Sequence, residues 1–89
     1  MIHNEFKLQF LDAIRNGESL GTIRKMVADS NFTEYTELYR LLYDEVERFG
    51  VEKMPEIIAD ISKGSYQDVL VVDKEINFNA TVSQILGRI

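Results

Sequence analysis

The sequence predicts an all-α fold, a compact bundle of five short helices. Apolar residues recur at helical spacing in five successive segments, and glycine, proline or helix-capping residues separate these segments. At 89 residues the chain can build one domain with one modest core, and it is too short for a second domain. We therefore expect a single helical domain over residues 1–89.

The first two predicted helices are short, and each has recognisable ends. A helix is predicted over residues 5–15, because Asn4 can cap its start and Gly17 follows its end. A second helix is predicted over residues 19–28, because the Ser19 side chain can cap it.

The third predicted helix, residues 33–49, has the clearest apolar stripe and is the element on which we expect the fold to depend most. Arg48 lies in its last turn, and Gly50 provides the stop. The stripe consists of Tyr35, Leu38, Tyr39, Leu42, Val46 and Phe49.

The fourth predicted helix covers residues 55–63 and continues or bends through residues 65–71. Pro55 suits a first helical turn, where its missing N–H would have no partner in any case. The run from Val69 to Val72 is apolar and β-branched, so periodicity alone leaves helix and strand both open. We favour helix, because no second strand is visible for this run to pair with.

The last predicted helix covers residues 74–88 and is capped by Asp73. Its two sides differ in polarity. The apolar side carries Phe78, Val82, Ile85 and Ile89, and the opposite side carries Asn77, Thr81, Gln84 and Arg88.

Composition excludes several classes of function. Ten basic and fifteen acidic residues leave a net charge of −5, which opposes binding to a polyanion, so no direct nucleic-acid contact is expected. The chain contains no cysteine, which is typical of a reducing compartment, and we expect a cytoplasmic protein. Charged residues interrupt the N-terminal apolar residues, so neither a signal peptide nor membrane association is expected.

No residue pattern in the chain predicts catalysis, and we expect no catalytic, cofactor-binding or metal-binding residues. His3 is the only histidine, and neither GxxxxGK[ST] nor GxGxxG is present. The acidic residues lie on predicted helix faces near arginines, where surface ion pairing is the ordinary role. Tyr35, Tyr39 and Tyr43 could in principle stack on bases, but core packing is favoured because no basic groove accompanies them.

Three leucines fall outside the apolar stripes and are candidates for an interface. Leu41 lies far around the third helix from its stripe, and Leu8 and Leu11 lie opposite Phe6 and Phe10 on the first helix. Single exposed leucines are common, but several on one small domain indicate a second buried surface.

The order of segments resembles a known family. The run FLDAIRNGESLGTIRKMVADSNFTEYTELYRLLYDEV, followed by PEIIADISKGSYQDVLVVDKEINFNATVSQIL, resembles the C-terminal collar domain of clamp-loader small subunits, the replication factor C family, in its tailed-phage branch. The resemblance spans residues 5–88 and lies in helix order and spacing: two opening helices, a Tyr- and Leu-rich helix, a helix begun at Pro55, a Tyr-containing bend, and a final helix entered at Glu75.

The resemblance implies a function in assembly. Family members carry an ATP-binding AAA+ module ahead of the collar, and no Walker A, Walker B or arginine-finger motif is present here. The expected function is therefore oligomerisation: the domain would hold sister subunits of a sliding-clamp loader together, with a homo-oligomer as one form of such an assembly, without hydrolysing ATP itself. The alternative is a small stand-alone adaptor or regulatory protein that binds a partner helix in a groove.

Overall fold

The computed structural model describes residues 2–89, and these residues form five α-helices and two short 3₁₀ helices with no strand among them. The predicted all-α class and the five helices are confirmed. The run from Ser65 to Val72 continues the fourth helix to Asp68 and then turns, as the favoured helical interpretation expects. The α-helices are α1 (Asn4–Arg15), α2 (Leu20–Asp29), α3 (Thr36–Asp44), α4 (Met54–Asp68) and α5 (Lys74–Arg88).

Local capping fixes most helix ends. The Ser19 hydroxyl accepts a hydrogen bond from the Thr22 N–H at 3.1 Å, and the Asp73 carboxylate caps α5 in the same way. Pro55 occupies the first turn of α4. The predicted cap at Asn4 is wrong by one residue, because Asn4 is already helical and no side chain caps α1.

The third helix is shorter than predicted. It ends at Asp44, and the chain continues as a 3₁₀ helix over Val46–Phe49 and a second over Val51–Lys53. Gly50 has a φ of +116°, which an α-helix cannot contain, and the preceding turn tightens towards it. The tighter turn still places Val46 and Phe49 in the core, so the predicted apolar stripe is buried although its backbone is not one helix.

An aromatic cluster around Phe78 of α5 forms the centre of the core. Its ring lies 6.1 Å from that of Phe10 on α1, 5.3 Å from Tyr35 and 5.2 Å, edge to face, from Tyr39. These rings come from α1, α5 and the start of α3, so their packing holds together parts of the chain that are distant in sequence. The other fully buried large side chains are Leu11, Ile14, Ile23, Leu38, Leu42, Ile57, Ile85, Val27 and Val82.

Two residues of the polar side of α5, Asn77 and Thr81, belong to the interior of the fold. Both are buried, because α4 packs across this side of α5. The Asn77 amide donates hydrogen bonds of 2.9 Å to the Tyr39 hydroxyl and to the Gly64 carbonyl, and Thr81 donates to the Asn77 carbonyl. A Cβ on Gly64 would lie 2.1 Å from the Thr81 hydroxyl oxygen, so glycine is what allows α4 and α5 to approach this closely.

An ion pair joins the other ends of the same two helices. Arg88, in the last turn of α5, donates two hydrogen bonds of 3.0 Å to the Asp60 carboxylate on α4. Asp60 is buried, whereas the Arg88 side chain is about half exposed. The acidic residues are expected at the surface. Asp60 differs because the Arg88 guanidinium donates hydrogen bonds to both of its carboxylate oxygens.

Candidate interaction surfaces

The three candidate interface leucines differ in burial. Leu8 is 53% exposed, whereas Leu11 is 0% exposed and Leu41 is 6% exposed. The expectation that packing within the chain leaves Leu11 and Leu41 uncovered is therefore wrong. For Leu11 the reason is that α1 contacts α2, α5 and the 3₁₀ helix Val46–Phe49, so α1 buries more than one side. Of the three, Leu8 alone is exposed to a partner in this structure.

Leu8 lies beside a shallow depression of about 370 Å³ between α1 and α3, which we term the α1–α3 groove. Asn4, one helical turn before Leu8, lines it, and Leu41 forms part of its floor. Charges of both signs surround it. The groove is lined by Ile2, Asn4, Lys7, Glu37, Arg40, Leu41 and Asp44.

A second depression, the α3–α4 groove, has a volume of about 430 Å³. Its apolar part comes from Tyr39, Ile58 and Ile61. Arg40 and Tyr43 border it, with the guanidinium carbon 5.3 Å from the centre of the Tyr43 ring. The remaining lining residues carry hydroxyl groups and are Thr36, Ser62 and Ser65.

The third surface is the connection between α4 and α5 with the adjoining helix ends, where large apolar side chains are exposed close together in the sequence. Among the described residues, five of the nine exposed large hydrophobic side chains fall within residues 66–76. We term this group the turn patch. It consists of Tyr66, Val69, Leu70, Val72 and Ile76.

Sequence reasoning missed the turn patch as a site. In the sequence, the apolar run from Val69 to Val72 poses only a question of helix or strand. A signal is nonetheless present, because the run lies between the polar end of α4 and the cap Asp73, with no periodic partner to cover it. An apolar run that fits neither a helix stripe nor a paired strand is a candidate for exposure.

Backbone and ionic contacts hold the turn patch in place. The Leu70 and Val71 N–H groups both donate to the Gln67 carbonyl, at 2.9 and 3.0 Å. The Lys74 ammonium donates to the Asp68 carbonyl and pairs with the Asp68 carboxylate at 3.5 Å. These contacts close the connection from both helices, so its exposed side chains project from a fixed backbone.

The surroundings of the turn patch are acidic. Asp73 and Glu75 flank Lys74, whose charge is already paired with that of Asp68. Burial raises the pKa of the Tyr35 phenol, and the negative charges of Glu75, Asp73 and Asp68 raise it further. Three carboxylates of this region thus disfavour the charged form of the Tyr35 phenol.

Other potential chemistry is sparse in the described part of the chain. Within residues 2–89, no three histidine, aspartate or glutamate side chains are grouped so that they could hold a metal ion. His3 is exposed beside α1. The buried Tyr39 phenol has a raised pKa, chiefly because burial disfavours its charged form, although hydrogen bonds with Thr81 and Asn77 act in the opposite direction.

Comparisons of the chain with protein-family models, with curated proteins and with solved structures each find no match. Over residues 2–89, none of the helices has the length and apolar character needed to cross a bilayer. Function is therefore inferred from the geometry of the surfaces. Over the described residues that geometry combines an all-α domain, the exposed turn patch and several surface depressions, of which the α1–α3 and α3–α4 grooves have the largest apolar share.

Proposed function

We propose that this chain is an oligomerisation domain, the collar of a sliding-clamp loader small subunit. The observation that carries the proposal is the order of its elements. Two short helices precede the Tyr- and Leu-rich α3, α4 has Pro55 in its first turn and contains Tyr66, and α5 follows the acidic cap Asp73. This is the order that the resemblance to the collar family implies. The shortness of α3 and the unbroken course of α4 through Gly64 are the two departures from it.

The surface proposed to meet a sister subunit is Leu8 with the α1–α3 groove. Leu8 offers an exposed apolar side chain, and the groove beside it carries charges of both signs. A mixed rim suits contact between like subunits, because neither sign accumulates across the interface. A ring needs contact between two unlike faces of neighbouring subunits, and the Leu8 surface would supply one of these two faces in a collar.

Under this proposal the protein is cytoplasmic, and its partners are sister clamp-loader subunits. The ATPase activity of such a loader would belong to an AAA+ module and not to the residues seen here. The acidic balance supports a domain that contacts other subunits and not the DNA.

Sedimentation velocity over a range of protein concentrations tests the oligomerisation proposal. We expect the chain to self-associate as concentration rises, and Leu8→Asp to abolish that association. Val51→Asp is the matched control, because Val51 is also an exposed apolar residue and lies in the 3₁₀ segment before α4. A chain that stays monomeric at all concentrations, or two variants with equal effects, would count against Leu8 as the contact.

The reading frame upstream of the Met1 codon tests the clamp-loader part of the proposal separately. A continuous frame encoding an AAA+ ATPase supports a collar. A stop codon directly upstream, in a genome that also encodes a complete set of loader subunits elsewhere, would contradict it.

The α3–α4 groove favours a second candidate function, an adaptor that binds a partner helix. Its apolar floor and hydroxyl-bearing edges suit an amphipathic helix. Ser62→Arg would fill this groove from an exposed position without touching Leu8. If Ser62→Arg loses partner binding while self-association is unchanged, the adaptor is favoured. If Leu8→Asp loses self-association while partner binding is unchanged, the collar is favoured.

A further inference from the structure

The turn patch has no role in the proposed collar contact, which lies at α1 and α3. Its five side chains are exposed by between 66 and 104% of their reference areas, in a connection held by hydrogen bonds and by the pairing of Lys74 with Asp68. Exposed apolar groups on a fixed backbone lose little conformational entropy when a partner covers them. Such an arrangement is favourable for docking.

The charges beside the patch restrict the class of partner. Asp73 and Glu75 are acidic, and Lys74 between them is already paired with Asp68. Two copies of the patch facing each other would bring these carboxylates together, so symmetric self-association through this surface is disfavoured. Anionic lipid and nucleic acid are disfavoured by the same charge.

We propose that the turn patch, Tyr66, Val69, Leu70, Val72 and Ile76, docks a short amphipathic segment of another protein in which apolar residues are flanked by lysine or arginine. The apolar side chains of that segment cover the patch, and its basic residues lie against Asp73 and Glu75. Charge complementarity selects this occupant over a second copy of the chain. The site is separate from the α1–α3 groove, so its occupation and collar assembly can be measured independently.

Selection from a displayed library of random peptides tests the proposal while the partner is unidentified. We expect the selected peptides to share apolar residues flanked by lysine or arginine. A labelled peptide of this consensus should bind in a fluorescence anisotropy titration, and a matched peptide with glutamate in place of the basic residues should not. Selection of no peptide, or of acidic peptides, would overturn the proposal.

Variants locate the binding site. The double variant Leu70→Ser/Val72→Ser removes two exposed apolar side chains and should weaken binding of the selected peptide about tenfold or more. Glu75→Gln should weaken it mainly at low salt, where charges are least screened. Val51→Ser is the matched control, because Val51 is 70% exposed but lies outside the patch, and it should bind as the unaltered chain does. Circular dichroism spectra and melting curves establish that each variant is folded.

Two further outcomes would identify a different occupant and overturn the proposal. If Leu70→Ser/Val72→Ser abolishes the self-association measured by sedimentation, the occupant is a second copy of the chain. If the unaltered chain floats with vesicles of phosphatidylserine and phosphatidylcholine and the double variant does not, the occupant is a membrane surface. Failure of the Leu8→Asp test leaves the peptide result unaffected, so this proposal and the collar proposal can fail separately.

Discussion

Gly64 lies where α4 and α5 pass each other most closely. A methyl group there would meet the Thr81 hydroxyl oxygen at 2.1 Å and a Tyr39 ring carbon at 2.9 Å. We expect Gly64→Ala to lower the free energy of unfolding by about 1–3 kcal/mol through overpacking, as measured by urea denaturation.

Gly21 provides the control for this substitution. It lies in α2, and the nearest atom to an added Cβ is the Ser19 hydroxyl oxygen at 3.9 Å. Gly21→Ala should therefore leave stability unchanged or raise it by at most about 0.5–1 kcal/mol, the preference for alanine over glycine in a helix interior, because Gly21 is only the second residue of α2. Similar effects from the two substitutions would mean that α4 and α5 are not in this close contact.

Leu42 and Leu41 are both core residues in this structure. Leu42 is completely buried, and truncating it to alanine should cost about 2–5 kcal/mol through lost burial and a residual cavity. The sequence pattern alone predicts a cost under about 1 kcal/mol for Leu41→Ala, as for a surface residue. Because Leu41 is buried at the floor of the α1–α3 groove, we expect its truncation to cost more than that. Thermal melts of the two variants decide between the two expectations.

The Tyr39 phenol makes the free energy of unfolding depend on pH in the alkaline range. Its pKa in the folded protein is raised above the ordinary value of 10.0, mainly by burial, so the folded state holds this proton more tightly than the unfolded state does. The stabilising contribution is complete below pH 10.0 and is lost as pH rises from there through the folded pKa. We expect the free energy of unfolding to fall in that range.

A comparison of the pH profiles of two tyrosine variants separates the contribution of Tyr39 from those of other groups that titrate at high pH. Tyr39→Phe should lower stability at neutral pH, because the Asn77 amide loses its hydrogen-bond partner at 2.9 Å. The same variant should show a smaller fall in the free energy of unfolding as the pH becomes alkaline. Tyr66→Phe alters an exposed phenol and should leave the fall in place. An unchanged pH profile in Tyr39→Phe would show that this phenol is not the source of the fall.

Residue burial is predictable where it follows helical periodicity and not where it depends on distant partners. Phe78, Val82 and Ile85 are expected in the core and are there. Asn77 lies on the polar side of α5 and is nevertheless buried, because its amide bonds to groups 13 and 38 residues away, and no local pattern contains that information. For the same reason the burial of Leu41 could not be inferred from its position on one helix.

At the scale of elements, the ends of helices are predicted best where the cap lies within the neighbouring few residues. Ser19 and Asp73 cap α2 and α5 as expected, and Pro55 lies in the first turn of α4. The end of α3 at Asp44 is not predicted, because the apolar stripe continues through Val46 and Phe49 in both a helix and a 3₁₀ turn. Periodicity reports which side is buried and is a weaker guide to backbone type.

The Asp60–Arg88 pair links α4 to the last turn of α5, opposite the end that Asp73 caps. Removing the guanidinium leaves a buried carboxylate without its two donors, so we expect Arg88→Ala to lower the melting temperature. Asp60→Asn in the same chain should recover part of that loss, since it removes the buried charge. Amide exchange at the end of α5 should accelerate in Arg88→Ala.

The melting temperature of the double variant Arg88→Ala/Asp60→Asn tests this interpretation. If Arg88→Ala and the double variant melt at the same temperature, the pair contributes by packing and not by charge. Additive losses from the two single substitutions would likewise show that the residues are not energetically coupled.

At the scale of the whole molecule, the fold class could be predicted and the interaction surfaces could not. Five amphipathic segments with capped ends determine an all-α bundle, because each buries one apolar side and satisfies its own backbone. Which apolar residues remain outside depends on how the helices pack against one another. The sequence marks the run from Val69 to Val72 as a candidate for exposure, but the parts of Tyr66 and Ile76 in the turn patch are visible only in the folded chain, and two of the three predicted interface leucines are buried.

The distribution of charge supports the last prediction, that the chain alone binds neither duplex DNA nor nucleotide. Up to Ser30 there are four basic and four acidic residues, so the entire excess of negative charge lies in the remainder, which has six basic and eleven acidic residues. The turn patch lies in that acidic part, and Arg40, Arg48, Lys74 and Arg88 all pair with carboxylates. These pairs occupy four of the ten basic residues, and binding DNA would bring a net −5 domain to a polyanion.

Fluorescence anisotropy with labelled duplex DNA should be flat even at low salt, the condition that most favours counterion release. Calorimetry with ATP and magnesium should also give no binding heat, because no phosphate-cradling loop is present in the sequence. Micromolar DNA affinity that weakens steeply with salt would mean that the basic residues are free of their acidic partners, and it would count against the proposed collar, whose contacts are with protein. Micromolar ATP binding would contradict the assignment of nucleotide chemistry to a separate module.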